Sequence, residues 1–339
     1  MALEIVATVG SPPPPVEDIR RMVAAGATTL RFNLASGHVP RRAVSVIQHV
    51  REALGSRGAQ VPKILVDLPV PGRKPRAITW ESKDVRVPLG ARLTFTTALA
   101  NVTAPTTIGV TDVDSLARIT PGTQFAMGDG ELVLQVMSLV DGHTIIVEAQ
   151  SDWYISHHKG IGLPREVDTC RATNAEVDAL ASVVAQCEVE YVALSFVTTD
   201  ADVTDARSRL SLGKATEVVA KIETEAALDN LISIGRQADV VMLGRGDMAH
   251  DAGFTRIGVM QERFLASVGG LGLRAWVATQ LLEVSSRSAT PNRAEVCDLS
   301  RILLSGAEGV VLAKETSAGV EPSRAIELVR AVARATNRQ

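Results

Sequence analysis

Lys221, Glu223 and Asp247 are the residues of this sequence best suited by type and spacing to do chemistry. The run 218–223 reads as a buried strand, and residues two apart on a strand project from one face. Lys221 and Glu223 therefore share a face. A second apolar run, 240–244, leads directly into Arg245-Gly246-Asp247. Where two such strand ends are neighbours, Glu223 and Asp247 can share one hard divalent cation and leave positions for water and substrate oxygens. Lys221 beside them offers positive charge to a developing or migrating anion. The same spacing also suits a buried ion pair of Lys221 with Glu223 or Asp247, with no chemistry at all. Arg31 and Asn33 close another apolar run, two residues apart. Arg31 is either a fork for phosphate or carboxylate or a salt-bridge partner. Thr279 ends a further run with a hydroxyl to donate, and Lys314-Glu315-Thr316 follows the last one. Gly246 and Asp247 can turn backbone N–H groups toward an anion.

The elements that must carry these residues follow from the hydropathy pattern. Short β-branched runs at 4–9, 28–33, 63–67, 191–196, 218–223, 240–244, 274–279 and 309–313 alternate with amphipathic helical stretches. Their continuous apolar character suits parallel strands covered on both faces. Within 174–187, Val177, Leu180, Ala181 and Val184 fall at helical spacing, and Thr173 with Glu176 makes a capping box. Pro322 suits the start of a helix over 323–335, where a missing N–H costs nothing. Eight strands alternating with helices predict an α/β fold, the (β/α)8 TIM barrel, whose reactive groups gather at the C-terminal strand ends.

The alternation breaks between Ile78 and His158. Thr- and Val-rich segments at 92–97, 131–137 and 144–149 are punctuated by Pro121-Gly122 and Asp129-Gly130, which read as turns. A structureless loop of about 80 residues inside a compact domain would be unusual. A small antiparallel β-domain inserted after the third strand is expected instead. The chain then divides into barrel at 1–77, insert at 78–158 and barrel again at 159–339.

Composition narrows the function. The 339 residues carry 35 basic and 38 acidic side chains, a net charge of −3, without the basic excess of a nucleic-acid binder. Cys170, Cys187 and Cys297 are widely spaced and indicate neither a disulfide framework nor a zinc site. No apolar run reaches the roughly 18 residues of a membrane span, and the N-terminus lacks the basic start of a signal peptide. A soluble cytoplasmic protein without membrane or nucleic-acid partners is expected.

A series of motifs resembles the pyruvate kinase family over nearly the whole chain. In the family's order they are Ile5-Val6-Ala7-Thr8-Val9-Gly10, Leu30-Arg31-Phe32-Asn33, Leu65-Val66-Asp67-Leu68, Gly128-Asp129-Gly130 and Lys159-Gly160-Ile161-Gly162-Leu163-Pro164. Ala193-Leu194-Ser195-Phe196-Val197, Ala220-Lys221-Ile222-Glu223, Arg245-Gly246-Asp247, Ala278-Thr279-Gln280, Arg293-Ala294-Glu295-Val296 and Lys314-Glu315-Thr316 with Gly319 follow. The resemblance implies a TIM barrel with a small inserted antiparallel β-barrel domain that closes over the site as a lid. It implies that Glu223 and Asp247 hold Mg²⁺ or Mn²⁺, and that Lys221 stabilises the phosphoryl group in flight. It sets Thr279 near the face where the enolate takes its proton, and Gly246 and Asp247 as backbone donors to the substrate carboxylate. Arg31 is implied as a phosphate contact, Ser195 as a substrate contact and Lys159 as a nucleotide-phosphate contact from the insert.

Departures from the family's pattern bear on the nucleotide side and on monovalent ions. Asn33-Leu34-Ala35-Ser36-Gly37 lacks the family's histidine, with His38 following. Arg73, Lys74 and Arg76 are all candidates for the family arginine after the third strand. Ala313-Lys314 stands where serine–glycine is usual, and the chain ends at Gln339, so the effector-binding C-terminal domain is expected to be lacking. Asn33 and Asp67 keep part of the family's monovalent site, but Ala35 and Leu68 replace its serine and threonine, so K⁺ is expected not to be required. Homodimers or homotetramers would fit. The function implied is transfer of phosphate from phosphoenolpyruvate to ADP through a metal-stabilised enolate. The alternatives are a metal-dependent pyruvate-enolate lyase, either aldolase or 2-oxoacid decarboxylase, and a non-catalytic phosphoenolpyruvate-binding relative.

Overall fold

The computed structural model describes residues 3–10, 12–34, 40–55, 61–111, 116, 118–128, 130–163, 170–288, 290–319 and 321–338. Residues 35–38, Asp129 and Pro164, on which parts of the sequence reading fall, lie outside them. The chain packs as two compact units. One comprises Met1–Pro71, Ala172–Met248 and Arg256–Gln339; the other comprises Gly72–Arg171 and Ala249–Thr255.

The first unit is the expected barrel. Its strands are β1 (Glu4–Thr8), β2 (Thr29–Asn33), β3 (Lys63–Arg73), β4 (Tyr191–Ser195), β5 (Glu217–Ile222), β6 (Val240–Gly244), β7 (Ala275–Ala278) and β8 (Gly309–Leu312). Each pairs in parallel with the next, and Glu4 of β1 lies opposite Gly309 of β8, which closes the ring. Inward-facing residues Val6, Leu65, Tyr191, Ala193, Val219, Val240, Met242, Trp276, Ala278 and Val311 form one buried cluster. The barrel is filled by alternating side chains rather than being a pore. A Cβ at Gly309 would lie 2.5 Å from Trp276 Cδ1, so glycine there makes room for the indole.

Helices cover the outside. Asn174–Cys187 begins with the expected capping box: Glu176 N–H donates to Thr173 Oγ1, and Thr173 N–H donates to the Glu176 carboxylate. Pro322 opens the last helix, Pro322–Ala335, at its first turn. Among the described residues no helix is long and apolar enough to cross a membrane.

Strand β3 outruns its expected end at Asp67. Pro69 and Pro71 read as breakers because they donate no N–H to a ladder. The structure accommodates them with a shift in register: Leu194 faces Leu68, and Ser195 then faces Pro71. Beyond that point Gly72 and Arg73 gain an antiparallel partner in Cys170–Arg171.

The second unit is a seven-stranded sheet in the order Ile161–Gly162, Gln124–Met127, Leu132–Asp141, Thr144–Ala149, Arg92–Thr96, Thr107–Val110, Ala77–Ile78. Its two ends are joined by a bridge between Arg76 and Gly160, with Ala77 N–H donating to Lys159 O. The sequence range 78–158 therefore lies inside a larger unit, since the pairings that join its ends use residues on either side. One pairing departs from the antiparallel expectation. Arg92–Thr96 runs parallel to Thr107–Val110, and the segment between them, which includes the short helical turn Leu99–Asn101, carries the chain back along the sheet. Alternate burial along Thr144–Ala149 turns Ile145, Val147 and Ala149 into the core. There Phe95 and Phe125 meet edge to face at 5.6 Å.

At the N-terminal end of the barrel, the half-buried Glu4 carboxylate accepts hydrogen bonds from Thr28 Oγ1 and Thr29 Oγ1, both at 2.5 Å, and from Lys63 Nζ at 3.1 Å. Burial pushes its pKa up, but the bonds from Thr28, Thr29 and Lys63 and the Lys63 charge outweigh burial and hold it below 4.5. A lowered carboxyl pKa stabilises the fold above the ordinary value, and that stability is lost as pH falls through the folded value. Glu4→Gln should therefore cost about 1.5–3 kcal/mol at pH 7, the range for hydrogen bonds to a charged group. In urea titrations the gap to wild type should narrow as pH drops below 4.5. A gap independent of pH would show that the carboxylate charge contributes nothing.

Candidate active site

Strands β2, β3, β4 and β5 bring a set of ionised and polar side chains together at their C-terminal ends. Lys221, on β5, has its Nζ 3.0 Å from Ser195 Oγ, 2.9 Å from Glu223 Oε1 and 3.3 Å from Asp67 Oδ1. Glu223, one residue past β5, uses its other oxygen to accept the Phe196 N–H at 2.8 Å. Asp67 Oδ2 accepts from Arg31 Nε at 2.9 Å and Nη2 at 2.7 Å, while Arg31 Nη1 donates to Thr8 Oγ1 at 2.9 Å. All of these side chains are buried, Asp67 completely.

Burial would strip the charge from such groups were they alone. For Lys221, burial pulls the pKa down, but the Asp67 and Glu223 carboxylates outweigh it and hold the ammonium well above the ordinary lysine range. For Asp67, burial pushes up, yet the Lys221 and Arg31 charges bring it below the usual carboxylate value. Glu223 goes the other way. Burial pushes it up to about 7 with the nearby Asp247 charge adding to the rise, and the Lys221 ammonium offsets only part. Asp247 is half-buried in the first turn of the helix Arg245–Ala252, which follows β6 directly. Glu223 is thus a carboxylate placed where a neighbouring negative charge disfavours its ionisation, and a divalent cation between the two would relieve that conflict. Among the described residues no group of three or more His, Cys, Asp or Glu gathers to hold a metal. A cation held by Glu223 and Asp247 would keep most of its coordination for water or substrate.

Two glycines of the β6 turn make the arrangement fit. A Cβ at Gly244 would lie 2.7 Å from Glu223 Cγ, and one at Gly246 would lie 3.1 Å from Thr279 Cγ2. Glycine at these positions lets Glu223 lean in from β5 and Thr279 from β7. Phe196 and Thr279 follow β4 and β7 in left-handed backbone, with φ of 55° and 79°. Non-glycine residues in that region are uncommon and concentrate at functional sites.

Of the residues singled out by sequence, the barrel unit gathers Arg31, Asp67, Ser195, Lys221 and Glu223 into one bonded network, with Asp247 in electrostatic contact. The ion-pair alternative for Lys221 is realised with Glu223. Asn33 ends β2 opposite Asp67 in register and is half-buried. Lys74, Arg76 and Lys159 belong to the second unit. There a Cβ at Gly160 would lie 3.3 Å from Arg76 Nη1 and 3.5 Å from Lys74 Cδ. Arg73 pairs through its backbone with Cys170. Sequence reasoning missed Thr8 as a partner of Arg31 and the Phe196 N–H as a partner of Glu223. Thr8 was detectable as the polar last residue of a barrel strand; the Phe196 contact depends on a backbone angle that no residue type announces.

The family model described as pyruvate kinase, barrel domain, matches residues 2–326. The chain is 29% identical over 325 residues to pyruvate kinase from Hypocrea jecorina, covering 95% of this chain and 60% of that one. It is 29% identical to pyruvate kinase 2 from Saccharomyces cerevisiae, with 97% and 65% covered, and 29% identical to pyruvate kinase from Thermotoga maritima, with 98% and 70% covered. The chain thus spans about three-fifths of the length of the first two relatives. The barrel's strand order and the family match over residues 2–326 agree: the chain belongs to the pyruvate kinase family.

Proposed function

We propose that this protein transfers the phosphoryl group of phosphoenolpyruvate to ADP, yielding pyruvate and ATP. The observation that carries the reading is Lys221, a buried ammonium kept charged by Asp67 and Glu223 at the mouth of the barrel. Phosphoryl transfer spreads negative charge over the migrating group and asks the protein mainly for positioning and positive charge. A fixed buried cation meets that need, whereas a lyase acting only on a pyruvate enolate has less use for one.

In this reading the bond between phosphorus and the enol oxygen breaks, a bond to the terminal phosphate oxygen of ADP forms, and the enolate left behind takes a proton at its methylene carbon. Lys221 and Arg31 face the phosphoryl group with positive charge. The N–H groups of Gly246 and Asp247, in the first turn of their helix, bind the substrate carboxylate. Glu223 and Asp247 would hold Mg²⁺ or Mn²⁺, which when bound supplies positive charge to the enolate oxygen. Ser195 orients the Lys221 ammonium, and Thr279 presents its hydroxyl beside the carbon that takes the proton. Lys159 contacts the nucleotide phosphates, and one of Arg73, Lys74 and Arg76 takes the place of the family arginine after the third strand.

The state of Asp67 supports independence from K⁺. Its Oδ2 accepts two bonds from Arg31, and its Oδ1 lies near Lys221 Nζ and Ser195 Oγ. Leu68 beside it is fully buried and offers no side-chain oxygen. Arg31 and Lys221 already supply the positive charge that a monovalent ion would bring.

The direct test follows pyruvate and ATP from phosphoenolpyruvate, ADP and Mg²⁺; metal and oxalate binding without product would move the assignment to a lyase. Lys221→Met should lower turnover by about 10²–10³-fold, the range for a lost electrostatic group, with Mn²⁺ still bound. Normal transfer by that variant would make Lys221 structural. Asp247→Ala should weaken Mn²⁺ binding, read by the free-ion electron paramagnetic resonance signal, and abolish metal-dependent turnover. Undiminished affinity would remove Asp247 from the metal site. Turnover in tetramethylammonium buffer free of Na⁺ and K⁺ should match that in K⁺. A large stimulation by K⁺ would mean that other oxygens rebuild the monovalent site.

A further inference from the structure

Glu315 is 1% exposed, lies just past β8 and accepts three backbone hydrogen bonds. Its Oε1 takes the N–H groups of Leu281 at 2.9 Å and Leu282 at 3.1 Å, and its Oε2 takes that of Ala313 at 2.7 Å. Leu281 and Leu282 follow directly on Thr279 and Gln280, whose φ values are 79° and 52°. Two consecutive left-handed residues, one of them β-branched, do not persist unless their surroundings hold them. Glu315 holds the turn from its C-terminal side.

Arg245 holds it from the other. Its Nε and Nη2 donate to Thr279 O at 2.9 and 2.5 Å, while its Nη1 is anchored by Gln261 Oε1 at 3.0 Å and by Asp298 Oδ2 at 2.5 Å. The methyl group of Thr279 packs where Gly246 has no side chain, 3.1 Å from the site of a Cβ. The Thr279 carbonyl and the two N–H groups that follow the turn are thus held, and they set the backbone from which the Thr279 hydroxyl projects.

We propose that Glu315, with Arg245 as its counterpart, is a positioning residue for Thr279: it holds the left-handed turn that aims the hydroxyl at the carbon taking the proton. This rests on the role assigned to Thr279 under the function proposed above. The requirement is for a carboxylate. Three N–H donors need acceptors on both oxygens, and a glutamine would turn its own NH₂ toward one of them.

The test uses the full chain with pyruvate, Mg²⁺ and inorganic phosphate in D₂O, following loss of the methyl proton signal by NMR, which reads proton exchange at the reacting carbon. Glu315→Gln should slow this exchange and kcat about 100-fold, as misplacement by around 1 Å does. KM for phosphoenolpyruvate and Mn²⁺ affinity should stay within about threefold of wild type, since ground-state binding is not what Glu315 serves. In a Thr279→Val background, adding Glu315→Gln should change the residual rate by less than about twofold, because with the hydroxyl gone Glu315 has nothing left to aim. Should Glu315→Gln lose its cooperative thermal transition, Arg245→Lys replaces it: the charge stays, the paired grip on Thr279 O goes, and the same pattern is expected. Normal exchange in the single variants, or losses that multiply in the double variant, would overturn the proposal. Wild-type exchange without ATP formation would overturn phosphoryl transfer alone, and the double-variant comparison would still decide the role of Glu315.

Discussion

A fully buried aspartate between two cations is the constraint on which the rest of the barrel mouth depends. Asp67 cannot remain ionised in that position without partners, and Arg31 and Lys221 supply them from β2 and β5. Breaking one member of such a network leaves a buried charge uncompensated, which is far more costly than the net worth of the pairs. The ends of β2, β3 and β5 must therefore stay in the relative positions that the ladder gives them. Barrel closure and site electrostatics are one requirement.

From that requirement the neighbouring geometry follows. Lys221 is held on one side by Asp67 and on the other by Glu223, and Ser195 accepts its third hydrogen bond. Glu223 is thereby drawn under the end of β6, where only a glycine at 244 leaves room for it. Its second oxygen is free to face the backbone and captures Phe196 N–H in left-handed conformation. The mouth thus combines paired buried charge with backbone held in sparsely populated angles, and both are stable only because several strands converge on the same few atoms.

The second unit rests on a simpler logic. Its strands alternate inward apolar and outward polar residues, and its core closes around Phe95, Phe125 and their aliphatic neighbours. Lys74, Arg76 and Lys159 stand where the two ends of its sheet are bridged, so the pairing of Arg76 with Gly160 also sets the spacing of the basic side chains. The basic residues are tied to sheet closure here as the ionised residues are tied to barrel closure in the other unit.

What the sequence determined by itself was the set of elements and their order. Val240–Gly244 and the helix Asn174–Cys187 stand at their expected bounds, because hydrophobic period and capping chemistry are local and act through neighbours in the chain. The i, i+2 placement of Lys221 and Glu223 on one face was legible for the same reason. Tertiary structure decided the rest. That Asp67 would bind Arg31, 36 residues away, and Lys221, far beyond it, depends on which strands become neighbours when the barrel closes. The extension of β3 through Pro69 and Pro71 and the left-handed turn at Thr279 are likewise set by partners elsewhere in the chain, against the local preference of the residues that adopt them. Local chemistry names the candidates, and only packing decides which charges meet, because burial makes each of them dependent on the other.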